Sequence, residues 1–298
     1  MSLQQVTDKI SIINAPFSGT TGVLGTYLIE GERKAVIDPG PTTQTVGVID
    51  ILRKKGVKEL EVVLLSHIHL DHAGGSWKMA QEYPNCYVYC HPKGLAHMVD
   101  PTKLKAGAER LFGEFVLEYG EITGVPAEKM KDSHEGEVID LGGITLEVLW
   151  TPGHSSHSQT YWEPDSKTVI VGDSGGRVIG KSGPIIPTSP PPHNPVKAVE
   201  SIDRILALKP ETLCVAHFGF FSEPALYLKS LKKRTTMWGK LSVEAAREEM
   251  SLENLVDLVQ EEDKEFDDLV KGMPAPEDSL KNSLVGFWMY GKWKQEQG

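Results

Sequence analysis

Residues 62–65 read Val-Val-Leu-Leu, and Ser-His-Ile-His-Leu-Asp-His-Ala-Gly-Gly follows at once. A continuous apolar run of this length fits a strand covered on both faces. It runs straight into three imidazoles and a carboxylate: His67, His69, Asp71 and His72. Buried polar side chains need partners, so the fold must supply something at that strand end to satisfy them. This demand points to an α/β sheet, in which loops beyond the strand ends converge on one edge and bind ligands there.

The same grammar returns further on. TLEVLW runs into TPGH with His154, TVIVGD ends on Asp173, and TLCVAHFG carries His217 near its end. Seven residues of metal-ligand type thus follow four strand patterns. Imidazole and carboxylate donors together suit zinc, iron or manganese. In His-x-His, the first and third side chains can point to one side of an extended segment. The adjacent Asp71-His72 pair can then turn toward a second ion. Gly74-Gly75 relieves crowding where the loop passes into a helix.

Around these motifs, residues 1–221 read as strand-rich α/β and residues 222–298 as helix. KISII, GTYLIE and AVIDPG are strand patterns, with a turn at Gly31-Glu32. Val46, Ile49 and Leu52 recur at helical spacing over 43–55, with Gly56 as the C-terminal stop. NCYVYCHP is a further strand, with Cys86 and Cys90 on one face as core residues. Residues 94–120 form a partly helical insertion. Gly142-Gly143 and Asp165-Ser166 are the turns of two hairpins. A proline-rich loop spans 181–195, where Asn194 caps a helix that opens at Pro195 and buries Val199, Ile202 and Leu206. Ser222 and Ser251 are expected to cap helices. Gly272 and Met-Pro-Ala-Pro break the chain before a last helix that starts at Asp278 or Ser279. The acidic run 261–268 reads as a solvated helix face. Leu226, Leu231, Trp238, Leu255, Phe287, Trp288 and Trp293 exceed what three small helices bury among themselves, so this segment needs another surface.

The formal charge of −10 argues against a nucleic-acid or anionic-membrane partner. Three cysteines cannot make a disulfide framework and point to a reducing compartment. The first residues lack the basic and apolar regions of a signal peptide. A cytoplasmic location is expected, with no membrane partner.

SHIHLDHAGG resembles the His-x-His-x-Asp-His signature of the metallo-β-lactamase superfamily. TPGH, GD and AHFG are similar to its later ligand motifs, in the family's order, and GTYLIEGERKAVIDPG resembles its opening hairpin with Asp38 in place. The resemblance covers roughly residues 6–221 and implies an αββα sandwich with a metal centre on one edge, a catalytic domain over 1–221 and a helical cap over 222–298. It assigns His67, His69 and His154 to one metal, Asp71, His72 and His217 to a second, and Asp173 to both. Asp71 is also the candidate catalytic carboxylate, and Asp38 an orienting one. Two divalent ions (zinc, iron or manganese) would hold a hydroxide that is scarce in bulk water at neutral pH.

The fold hosts many chemistries, so the motif alone leaves the substrate open. His69 stands where the di-iron flavoprotein branch has glutamate. No export signal suggests a secreted β-lactamase. The acidic charge is unlike the nucleases, and glyoxalase II's basic glutathione-binding motifs are missing. The spacing from His154 to Asp173 to His217, and the helical end, resemble the branch of the quinolone-signal thioesterase. That implies hydrolysis of a small-molecule thioester or related activated ester. Lactone or phosphodiester hydrolysis, a mononuclear iron persulfide dioxygenase, and a metal-binding protein with an interaction role are the alternatives. His193 in the proline-rich loop, with Phe218, Phe220 and Phe221 beside His217, are candidate substrate contacts. Segment 222–298 is expected to close over the metal edge, with a homodimer interface as the other use of its apolar face.

Overall fold

The computed structural model describes residues 2–179, 183–271 and 276–297. The expected chain break at 272–275 lies outside them. The chain forms two compact units. One comprises Met1–Trp150, Gln159–Gly172 and Glu211–Ser222, the other Thr151–Ser158, Asp173–Pro210 and Glu223–Gly298. The chain passes between them at 150/151, 158/159, 172/173, 210/211 and 222/223. The helices after residue 222 therefore share a unit with two earlier segments, one carrying His154 and the other Asp173.

The first unit is built on two sheets. One holds β1 (Ser2–Gln5), β2 (Ile10–Asn14), β3 (Thr26–Glu30), β4 (Lys34–Ile37), β5 (Val62–Leu64), β6 (Tyr87–Cys90) and β7 (Met130–Asp132), side by side in that order. Pairing is antiparallel from β1 to β4 and parallel from β4 to β7. The parallel strands are joined through helices, α1 (Thr42–Lys54), α2 (Leu70–Ala73), α3 (Ser76–Glu82), α4 (Pro92–Val99) and α5 (Thr102–Phe112). β5 is buried throughout, as its unbroken apolar run requires. Val48, Ile49 and Leu52 of α1 pack with Met79, Cys86, Val88 and Cys90 against one face of the sheet. Val46 is 46% exposed and lies off that stripe, which is carried by Thr45, Val48, Ile49 and Leu52.

The second sheet begins with β8 (Val138–Asp140), β9 (Thr145–Trp150), β10 (Gln159–Glu163) and β11 (Thr168–Ile170). Gly142 and Gly143 turn the β8–β9 hairpin, both at a φ of 76°, a backbone that side-chain-bearing residues resist. β12 (Arg177–Val178) and β13 (Ile185–Ile186) pair with each other in the second unit. β14 (Thr212–Val215) and β15 (Gly219–Phe221) return to the first unit and complete the order β15-β14-β11-β10-β9-β8. Ile10, Ile12, Tyr27, Ile29 and Ile37 of the first sheet meet Leu146, Val148, Tyr161, Ile170 and Cys214 of the second in one continuous core. The two sheets thus stack as a sandwich with helices on an outer face.

The second unit contains α6 (Pro195–Ala207), α7 (Pro224–Arg247), α8 (Leu252–Glu262), α9 (Lys264–Val270) and α10 (Pro276–Glu296). Asn194 caps α6 by accepting from the Lys197 N–H, with Pro195 in the first turn. Pro195, Ser201, Ile202 and Ile205 are the buried positions of α6, while Val199 and Leu206 are only half-buried. Ser251 caps α8 in a reciprocal box with Asn254. The residue before α7 is Glu223 rather than Ser222, and its side chain makes no cap bond.

Two corrections follow from α7 and α10, which run for 24 and 21 residues and replace the expected small helices. Trp238, Leu255 and Phe287 are buried in the unit's own core with Ile179 and Ile186, while Leu226 and Trp293 remain 66% and 48% exposed. The acidic run is only in part the solvated face expected: Glu261, Glu262, Glu265 and Asp268 are exposed, whereas Asp263 and Asp267 are buried. Asp263 is buried and takes both Arg234 Nε, at 2.6 Å, and the Trp238 indole N–H, at 3.0 Å. No helix among the described residues is long and apolar enough to cross a membrane.

Candidate metal centre

In the first unit the site grows from the parallel β4–β5 pair. Asp38 follows β4 in a left-handed conformation, φ 51°, and its N–H donates to the Leu64 carbonyl at 3.0 Å. Its carboxylate, buried, accepts the Ser66 N–H at 2.7 Å and the Ser66 hydroxyl at 2.5 Å. The same carboxylate lies 3.4 Å from His72 Nδ1. The Ser66 hydroxyl also sits 3.0 Å from His67 Nδ1. Asp38 and Ser66 therefore brace two of the motif's imidazoles. This is the orienting role expected of Asp38, and Ser66 shares it.

α2 is a single turn that opens after His69 and carries Asp71 and His72. It presents the His72 Nε2 at 3.2 Å from Asp71 Oδ2. The His67 ring stands 4.5 Å from that of His69 and 4.2 Å from that of His72. Gly75 lets the chain leave this turn: a Cβ there would fall 1.8 Å from Thr45 Oγ1. From β3 of the first sheet, the Tyr27 hydroxyl reaches the Val215 and Gly219 carbonyls of the second, at 2.8 and 2.7 Å, and ties the loop bearing His217 to β3. Asp71, His72 and His217 consequently offer ligand atoms that all lie within 4.8 Å of one another. Two donors on one zinc ion are at most about 4.3 Å apart, so a divalent ion fits this set with small side-chain adjustments.

In the second unit, His154 and Asp173 stand together, both buried, with Nε2 and Oδ2 3.5 Å apart. His154 Nδ1 lies 3.0 Å from the Thr188 carbonyl. A carbonyl only accepts, so Nδ1 carries the hydrogen and Nε2 presents its lone pair. His193 lines the same small cavity as His154, Asp173, Ser174 and Thr188. Burial, and then the neighbouring His154, push the His193 imidazole down to about 3, so it is neutral at physiological pH. Its ring packs 4.6 Å from that of Phe287. Burial and the Asp173 carboxylate together raise the Tyr227 phenol.

The sequence-expected residues thus fall into two groups, His67, His69, Asp71, His72 and His217 in one unit, His154, Asp173 and His193 in the other. Phe218 and Phe220 pack against the core between the sheets, and Phe221 is half-buried in β15. Ser66 and Thr188 were not anticipated. Ser66 had a signal, as a small hydroxyl residue directly between the buried strand and the first histidine. Thr188, in a loop without periodicity, had none.

A model of the metallo-beta-lactamase superfamily matches residues 22–217. The metallo-beta-lactamase fold-containing protein ST1585 of Sulfurisphaera tokodaii is 28% identical over 210 residues, 70% of this chain and 77% of that protein. Its solved structure gives a TM-score of 0.67 at 26% identity, covering 76% of this chain and 86% of that one. The probable metallo-hydrolase YqgX of Bacillus subtilis is 30% identical over 147 residues, 49% of this chain and 63% of that protein. The metallo-beta-lactamase family protein TTHA1429 of Thermus thermophilus shares the fold over 99% of this chain and 95% of its own, with a TM-score of 0.72 at 16% identity. With the motif-bearing strands matched in order and the sandwich reproduced, this chain belongs to the metallo-β-lactamase superfamily.

Proposed function

We propose that this chain is a metal-dependent hydrolase that cleaves a thioester or a related activated ester. The observation that carries the reading is the convergence of Asp71, His72 and His217 within 4.8 Å, drawn from two different sheets. In this reading His67, His69 and His154 would hold one divalent ion and Asp71, His72 and His217 a second, with Asp173 available to both. When bound, such ions supply Lewis acidity to the electrophile's oxygen and lower the pKa of water.

The chain's own residues have separate tasks. Asp38 and Ser66 keep the His67 and His72 rings oriented. Asp71, partly exposed, takes the proton of the attacking water. Phe218, Phe220 and Phe221 would give the substrate apolar surface, and His193, neutral and packed on Phe287, borders the small cavity beside His154 and Asp173. No thiol competes as nucleophile: burial pushes Cys86 and Cys90 up to about 12, and Cys214 higher still. The relative named as a probable metallo-hydrolase supports hydrolysis over other chemistry.

The test combines elemental analysis with a panel of thioesters, esters, lactones and phosphodiesters. Two ions per chain are expected, with the fastest turnover on a thioester or activated ester. His69→Ala and Asp173→Ala should lose metal and turnover together, while Cys214→Ser keeps both. One iron per chain with no hydrolysis would favour a dioxygenase. Bound metal without turnover of any substrate would favour a binding protein.

A further inference from the structure

Thr188 makes two contacts that matter for the candidate ligands. Its carbonyl accepts His154 Nδ1–H at 3.0 Å, and its hydroxyl donates to the Asp173 carbonyl at 2.9 Å. Neither partner is near Thr188 in sequence. What keeps Thr188 in place is therefore the question.

The answer lies in the helices of the same unit, which hold residues 185–193 at three points. Arg234 of α7 donates Nη1 to the Ile185 carbonyl at 2.5 Å. Arg234 is itself fixed by Asp263, at 2.6 and 3.1 Å, and by Glu265, at 2.8 Å. The Ser189 hydroxyl, buried, donates to the Ser283 carbonyl of α10 at 2.5 Å. The His193 ring rests on Phe287 of α10. Between the last two points the helix and the segment nearly touch: a Cβ on Gly286 would lie 2.0 Å from the Ser189 carbonyl oxygen and 2.9 Å from His193 Cβ. Only glycine allows α10 to cross there.

We propose that Thr188 is a positioning residue for His154 and Asp173, and that α7 and α10 set its place by gripping residues 185–193. The inference rests on the metal-centre reading above. A carbonyl that fixes the tautomer of a ligating histidine governs how well Nε2 meets an ion, and loss of such a partner weakens metal binding about 10–100-fold. The helices thus act on the strength of metal binding and not only on the space offered to substrate.

Zinc alone is the probe, titrated into the metal-free full chain in competition with a chromophoric chelator. Thr188→Val, close to isosteric, removes the hydroxyl that donates to the Asp173 carbonyl and lies 3.2 Å from His154 Nδ1, and Gly286→Ala pushes on Ser189 from the helix side. Both should weaken zinc binding about 10–100-fold, with the far-UV CD of the metal-free protein unchanged. Met289→Ala, on the exposed side of α10, should bind zinc as the parent does. If Gly286→Ala does not fold, Ser189→Ala, which removes only one hydroxyl, replaces it. Parent-like zinc affinity in Thr188→Val and in the α10-contact variant overturns the inference while leaving the metal centre intact. A parent protein that binds no zinc, iron or manganese overturns the metal-centre reading and this inference with it.

Discussion

Asp263→Ala tests how the second unit is held together. Arg234 and Asp263 have side chains only 6% and 5% exposed, and they meet through two hydrogen bonds. Burial opposes the charge on Arg234, yet its bonds to Asp263 and Glu265 outweigh that and hold its pKa above the ordinary value. Removing the carboxylate leaves the guanidinium with the Ile185 carbonyl and with Glu265, which is 67% exposed and therefore screened. Deleting one member of a buried pair costs about 3–5 kcal/mol. The Trp238 N–H also loses its acceptor, a further ~1–3 kcal/mol. Glu265 offsets part of both, so we expect a loss of about 4 kcal/mol. Urea unfolding followed by tryptophan fluorescence and far-UV CD measures it by linear extrapolation. The apolar double variant Arg234→Met/Asp263→Leu should recover much of the loss, because the cost lies in an uncompensated charge rather than in a missing bond. A loss below about 1 kcal/mol for Asp263→Ala would refute the reasoning, as would a double variant less stable than the single one.

Asp38→Ala removes the acceptor of Ser66 and the neighbour of His72 Nδ1, and should weaken zinc binding about 10–100-fold in the chelator competition; parent-like affinity would show that Ser66 alone suffices. Gly75→Ala drives a Cβ into Thr45, whose hydroxyl also bonds the Pro39 and Pro41 carbonyls, and should cost about 1–3 kcal/mol in urea unfolding. Cys86 and Cys90 are pushed up to about 12 by burial, so their neutral forms favour the folded state. That contribution is complete below about pH 9, where the unfolded thiols are also protonated, and is lost as pH rises toward about 12. The urea midpoint should therefore fall between pH 8 and pH 10.5 by more in the parent than in Cys90→Ala, and native protein at pH 8 should leave a thiol reagent unconsumed.

The histidine- and aspartate-bearing strand ends were legible because two signals coincide there: an apolar run long enough for a buried strand, and side chains that such a strand end tolerates only with partners. The β8–β9 hairpin was equally legible, since two consecutive glycines leave few other backbones. β1 was not, because Ser2–Gln5 is a largely exposed edge strand whose pairing with β2 is all backbone. In sequence, the helical end reads as small pieces with surplus apolar side chains. In fact α7 and α10 are long enough to bury Trp238 and Phe287 against each other. Asp263 was hidden for a related reason: its partner Arg234 lies 29 residues away, and a carboxylate within an acidic run carries no mark that it turns inward. Ser222 was one residue short of the helix start because the chain ahead of α7 has no capping side chain, so no local chemistry marks the boundary.

The grip of α10 on residues 185–193 also sets an order in biosynthetic time. Ser189 is translated 94 residues before Ser283, whose carbonyl receives its hydroxyl. At an elongation rate of about 5–20 residues per second, that interval is roughly 5–19 s. Throughout it the nascent chain already carries His67, His69, Asp71 and His72 beside a parallel sheet whose strands have all been made, while Thr188 still lacks its support from α10. On the proposed metal-centre reading, the strand-borne candidates would be ready first, and His154 and Asp173 would take up their final geometry only after α10 has been synthesised. On that reading, full-strength metal binding would follow translation of α10 rather than accompany synthesis of the motif that announces it.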